Sequence, residues 1–76
     1  MDAKLRQTIA DVFNIPAGKI SEKTLAKDVE SWDSLKHLQL VVALEQAYNV
    51  QFETDEIQEI KGVSDVIALL QARNVL

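Results

Sequence analysis

Apolar residues recur along this chain mainly at intervals of three and four, the spacing of helices packed on one face. In residues 3–14, Leu5, Ile9, Val12 and Phe13 form such a face, with Lys4, Arg6, Gln7, Thr8 and Asp11 between them. The pattern predicts an amphipathic helix that stops near Asn14, because Ile15 precedes Pro16 and Gly18 follows. Residues 15–33 keep no sustained period. A connection of that length needs anchors or a purpose in so small a chain. Ile20, Leu25, Val29 and Trp32 supply the anchors, and the segment reads as an ordered connection with one short helical turn near 21–27, beginning at Ser21.

The stretch 34–48 predicts the next helix. Leu40, Ala43, Leu44, Ala47 and Tyr48 make a core-facing stripe. Leu35, Leu38 and Val42 make a second apolar row on another side, with Val41 between the two. A helix apolar nearly all round must be enclosed or must show hydrophobic surface, and 76 residues enclose one poorly. Pattern alone leaves both outcomes open: the second row lies under the 15–33 loop or faces a partner. Asn49 marks a stop, and Val50-Gln51-Phe52 reads as a brief extended linker. Thr54 is the expected N-cap of a short helix over 55–60, with Asp55 and Glu56 favouring its dipole, Ile57 and Ile60 facing the core and Gly62 ending it. A last helix over 63–74 carries Val63, Val66, Ile67 and Leu70, with Arg73 in its final turn. The expectation is an all-α chain of three longer helices and one short helix, forming one domain over residues 1–76.

Composition narrows the function. A chain this short buries only about 60% of its unfolded surface, so its stability margin is thin and it has little room for a deep active site. It has no cysteine, hence no disulfide, no thiolate metal site and no thiol nucleophile. No apolar run reaches the ~18 residues of a membrane span, and Met1-Asp2-Ala3-Lys4 does not open like a signal peptide, so a cytoplasmic protein is expected.

The net charge of -4 lies entirely in the second half. Residues 1–38 balance six basic against six acidic side chains, whereas residues 39–76 hold only Lys61 and Arg73 against six acids. Glu53, Asp55, Glu56 and Glu59 fall within seven residues, which argues against nucleic acid and for a basic protein partner, unless the run is simply a solvated helix face.

Catalytic chemistry finds little support. The only histidine, His37, follows Ser34 by three residues and reads as a solvated residue in the first helical turn, with no glycine-flanked nucleophile elbow beside it. Asp28, Glu30 and Asp33 lack the alternation and glycine of a calcium loop, so no metal is expected. Two glycines cannot make a phosphate-cradling loop.

What remains is Trp32-Asp33-Ser34-Leu35, where the long connection runs into the apolar helix. Asp33-Ser34-Leu35 resembles the attachment motif of acyl carrier proteins, and the order helix, long loop, Asp-Ser-Leu-helix, short acidic helix and final helix extends the resemblance across essentially the whole chain. The resemblance implies a four-helix bundle of acyl-carrier type whose Ser34 hydroxyl holds 4′-phosphopantetheine, donated from coenzyme A by a phosphopantetheinyl transferase. An acyl group would ride on that arm as a thioester, and the chain itself would not catalyse. Physical chemistry agrees with the position. Asp33 is a natural N-cap, and the unpaired N–H groups and positive dipole end of a helix start favour a phosphate ester.

The same resemblance gives the surface a purpose. Leu35, Leu38 and Val42 would supply apolar contact, and Glu45, Glu53, Asp55, Glu56 and Glu59 would attract basic docking surfaces on acyl-loading and acyl-processing enzymes of fatty-acid or polyketide type. An acyl chain would tuck into the bundle interior, and the carrier would act as a monomer. Lys36, Gln39 and Gln46 stand where fatty-acid carriers commonly have acids, and with Trp32 and His37 they suggest a specialised free-standing carrier for a dedicated pathway. Two other readings stay open: a peptidyl or aminoacyl carrier using the same serine, and an unmodified helical interaction module in which Ser34 only caps the helix.

Overall fold

The structure is a computed structural model describing residues 1–76. It has four α-helices, α1 (Ala3–Phe13), α2 (Ser34–Tyr48), α3 (Thr54–Glu59) and α4 (Val63–Ala72), and its only β pairing is an isolated bridge between Leu25 and Gly62. Asp2 starts α1 by accepting the Leu5 N–H on its carboxylate at 2.9 Å. Asn14 and Asn49 end α1 and α2 in the left-handed conformation, at φ 55° and 54°, which asparagine adopts more readily than most side chains.

The helices meet on their apolar stripes. Leu5, Ile9 and Phe13 of α1 pack with Leu40, Val41 and Leu44 of α2 and Val63, Val66 and Leu70 of α4, while Ile20, Phe52 and Ile60 enter from the connections. Each large apolar side chain contributes roughly 1.5–3 kcal/mol by leaving water. On α2 the core side is set by Leu40, Val41 and Leu44, and the expected stripe residues Ala43, Ala47 and Tyr48 are only half-buried. Val41, between the two sequence rows, thus belongs to the core.

The long connection differs from the sequence expectation. In place of one helical turn over 21–27 it has two 3-10 turns, Ala17–Lys19 and Ala26–Asp28, separated by a tight turn. That turn is local side-chain chemistry: Ser21 N–H donates to Thr24 Oγ1 at 3.0 Å, Lys23 N–H to Ser21 Oγ at 3.2 Å, and Thr24 N–H to the Ser21 carbonyl at 3.1 Å. Hydroxyls placed so compete with helical backbone pairing. The first 3-10 turn follows Pro16, whose φ of -61° already suits it.

Beyond the turn the connection is sewn to the α3–α4 junction. Ala26 N–H donates to Lys61 O and Val63 N–H to Thr24 O, both at 2.9 Å. Gly62 permits this approach, because a Cβ there would sit 2.7 Å from the Thr24 carbonyl oxygen. Gly62 therefore leads into α4, and Ile60 is the residue that ends α3. At the start of α3 the N-cap is Glu53, with Thr54 already helical. Glu56 fixes this register, since its carboxylate reaches back to accept the Glu53 N–H at 2.8 Å. The last helix stops at Ala72, and Asn74, at φ 60°, turns the chain away.

Candidate functional site

The site is built where the connection enters α2. Asp33 is extended, at φ -101° and ψ -173°, and its carboxylate accepts the Lys36 N–H at 2.8 Å while its carbonyl accepts the His37 N–H at 2.8 Å. Ser34 is thereby the first residue of α2 and is exposed. At that position the helix leaves backbone N–H groups unpaired and presents the positive end of its dipole, an environment that favours an anionic ester on the serine oxygen.

Three side chains brace this junction. Trp32 stacks on Phe13 of the core, with ring centroids 4.5 Å apart and planes inclined by 27°. The Ser31 hydroxyl donates to the Phe13 carbonyl at 3.0 Å. The Trp32 indole N–H donates to His37 Nδ1 at 2.9 Å, and His37 Nε2 lies 2.8 Å from the Ile57 carbonyl. An indole N–H only donates, so Nδ1 accepts and Nε2 carries the proton given to Ile57. This corrects the expectation of a solvated His37. The ring is half-buried between Trp32, just before α2, and α3, with both nitrogens engaged. The sequence held one clue to it: a half-buried tryptophan needs an acceptor for its N–H, and the chain's only histidine lies five residues away.

The second apolar row is exposed. Leu35, Leu38 and Val42 are 64%, 56% and 51% accessible, so the 15–33 connection does not cover them. Leu38 and Val42 flank a shallow groove of about 300 Å³ with Gln39, Ala43 and Gln46. A wider cleft of about 860 Å³ lies on the other side of the junction, lined among others by Ile15, Lys19, Val29 and Lys36.

The predicted acidic residues divide into two kinds. Glu53, Asp55 and Glu59 are exposed. Glu45 instead accepts the Phe52 N–H at 3.0 Å, and Glu56 pairs with the Arg73 guanidinium. That hydrogen bond from Arg73, aided by the Glu53 N–H, holds the Glu56 carboxyl below its ordinary range. Arg73 does more than complement a dipole: it also donates to the Gln51 carbonyl at 3.1 Å and lies over the Phe52 ring. Asp28, Glu30 and Asp33 are not part of any His, Cys, Asp or Glu group that could hold a metal ion, and no helix is long and apolar enough to cross a membrane.

The scaffold is all-helical with an exposed serine at the start of α2, behind a capping Asp33, and comparison with known proteins specifies its family. The family described as "Phosphopantetheine attachment site" matches residues 3–70. Acyl carrier protein of Syntrophus aciditrophicus is 28% identical over 76 residues, covering 99% of this chain and 94% of that protein. Acyl carrier protein of Thermosynechococcus vestitus is 31% identical over 65 residues, covering 84% and 79%. Among solved structures, holo acyl carrier protein of Geobacter metallireducens superposes with a TM-score of 0.82 at 33% identity, covering 95% of this chain and 86% of that one. The chain belongs to the acyl carrier protein family, whose prosthetic group is phosphopantetheine.

Proposed function

We propose that Ser34 is the attachment point and that the chain, acting as one carrier domain over residues 1–76, carries an acyl group as a thioester on the arm. The observation that carries this reading is the exposed Ser34 hydroxyl at the first position of α2, behind the Asp33 cap. The residues fit the group. The helix start favours the phosphate of the ester, and the exposed Leu35–Leu38–Val42 row lies beside it for apolar contact. When bound, the arm supplies the thiol that this cysteine-free chain lacks.

The chain's own part is to bind and present. His37 has both ring nitrogens occupied and so does not serve Ser34 as a base, which fits a carrier without catalysis of its own. The enzymes it serves are a phosphopantetheinyl transferase and acyl-loading and acyl-processing enzymes. Leu35, Leu38 and Val42 provide the apolar part of their docking face, and Glu53, Asp55 and Glu59 attract basic groups. Glu45 and Glu56, also expected to attract partners, share their charge with internal partners. With Lys36, Gln39 and Gln46 on its surface, α2 has no unengaged carboxylate, which supports a dedicated set of partners; we place this carrier in the cytoplasm as a monomer.

Incubation with coenzyme A and a broad-specificity phosphopantetheinyl transferase tests this directly. The intact mass rises by one phosphopantetheine group in the wild type and stays unchanged in Ser34→Ala. A wild type that remains unmodified overturns the reading.

A further inference from the structure

His37 occupies a position that capping and core packing do not explain. Asp33 already starts α2, and Leu40, Val41 and Leu44 already bury it. The histidine ring instead links two parts that are otherwise separate. Its Nδ1 holds the indole of Trp32, two residues before Ser34, and its Nε2–H holds the Ile57 carbonyl of α3. Trp32 is in turn stacked on Phe13, so the bracing runs from the core through the attachment segment into α3.

The contact to Ile57 is the single hydrogen bond between α2 and α3. The other ties of α3 and its flanks run elsewhere: Phe52 N–H to Glu45 near the far end of α2, Glu56 to Arg73 at the end of α4, and Lys61 and Val63 to Ala26 and Thr24 in the long connection. Without the histidine, α3 would remain fixed to α4 and to the connection, but its placement against the Ser34 end of α2 would rest on apolar contact alone. Apolar contact is not directional, whereas a ring bonded at both nitrogens sets distance and orientation together.

We infer that His37 is a positioning residue, which holds the Ser34 hydroxyl and the exposed carboxylates of α3 in one register for the enzyme that modifies Ser34. This rests on Ser34 being the attachment point. Trp32 and His37 clasp each other across Asp33-Ser34-Leu35-Lys36, so the helix start presented to that enzyme is braced by a side-chain bridge rather than left free. A docking enzyme that reads both the serine and the α3 acids then meets them preassembled, and the ordering cost is removed from the encounter.

The test compares wild type with His37→Phe, which keeps a ring of similar bulk and loses both hydrogen bonds, and His37→Gln, which keeps one donor and one acceptor. Coenzyme A and a broad-specificity phosphopantetheinyl transferase serve as the probe, with amide and indole hydrogen exchange read by NMR. For His37→Phe the KM for the carrier rises about fivefold, the worth of the one neutral hydrogen bond, to Ile57, that sets α3 against α2, with kcat little changed. The Trp32 indole N–H exchanges faster, and His37→Gln recovers most of the KM. A purely structural role would lower the melting temperature without that split. If His37→Phe does not fold, Trp32→Phe, which retains the stack on Phe13 and loses the indole donor, shows the same KM rise. A folded variant with wild-type KM, or an indole N–H equally protected without His37, overturns the inference. Failure of the wild type to be modified at all would instead refute the assignment of Ser34.

Discussion

The Asp33 carboxylate accepts the backbone N–H of Lys36 at 2.8 Å, and that bond decides that Ser34 is the first residue of α2 rather than its cap. Removing it leaves an N–H of the first turn without a partner while the serine stays in place. Asp33→Ala therefore destabilises the protein by about 1 kcal/mol, and Asp33→Asn by less, because the amide oxygen still accepts. Urea unfolding followed by circular dichroism measures both. Equal losses for the two variants would show that Asp33 acts through its charge and not through the cap.

Gly62 and Gly18 make opposite predictions from the same substitution. A Cβ at Gly62 meets the Thr24 carbonyl oxygen at 2.7 Å and the Leu25 side chain at 3.0 Å, and backbone held by two bridging hydrogen bonds cannot move aside freely. Gly62→Ala costs about 1–3 kcal/mol, as overpacking does elsewhere. Around Gly18 there is nothing within 4 Å and φ is not positive, so Gly18→Ala is neutral or stabilises by about 0.4–1 kcal/mol through the unfolded chain. Thermal melts of the two variants side by side check the pair.

These contrasts show what the sequence could and could not reveal. Helices α1, α2 and α4 were legible because Leu5, Ile9 and Phe13, or Val63, Val66 and Leu70, keep the helical period over several turns, and because asparagine marks two of the ends. The capped serine was legible too, since a cap and its first turn lie within four residues. Periodicity, however, says which residues share a face and not what covers that face. The exposure of Leu35, Leu38 and Val42 therefore needed the tertiary structure. The same holds for pairs distant in sequence. His37 finds Ile57 twenty residues on, and Arg73 finds Glu56 seventeen residues back, so a histidine read as solvated is braced and an acid read as free is paired. Thr54 lost the cap of α3 to Glu53 because propensity at one position yielded to the reach of the Glu56 side chain.

Two titrating groups shape stability at the pH extremes, with opposite signs. Burial, then the charge of Asp2 and a hydrogen bond to it, push the Tyr48 phenol from 10.0 up to about 12. A raised folded value favours the protonated form, so the stabilisation it reflects is complete below pH 10 and is lost as pH rises from 10 towards 12. Glu56 is lowered from 4.5 by Arg73, so its contribution is present above pH 4.5 and is lost as pH falls below it. Unfolding measured across pH should show a flatter alkaline limb in Tyr48→Phe and a flatter acid limb in Glu56→Gln. Limbs unchanged from wild type would remove these two groups from the account.

Leu38 and Leu40 are two residues apart on α2 and separate folding from docking. Leu40 is fully buried between the helices, whereas Leu38 lies in the exposed row beside Ser34. Leu40→Ala leaves a cavity in a core of modest size and costs about 2–5 kcal/mol, a large part of the stability of so short a chain. Leu38→Ala removes a side chain that is already largely in water, and its effect on stability stays within about 0.5 kcal/mol. If the exposed row is the apolar part of the docking face, Leu38→Ala still takes a larger toll on enzyme recognition. Truncation of a central apolar contact raises the KM of the modifying enzyme about fivefold or more, which corresponds to ~1 kcal/mol or above. Urea unfolding and steady-state loading kinetics on the two variants give both quantities. A Leu38→Ala protein with wild-type stability and wild-type KM would move the docking face off this row of α2.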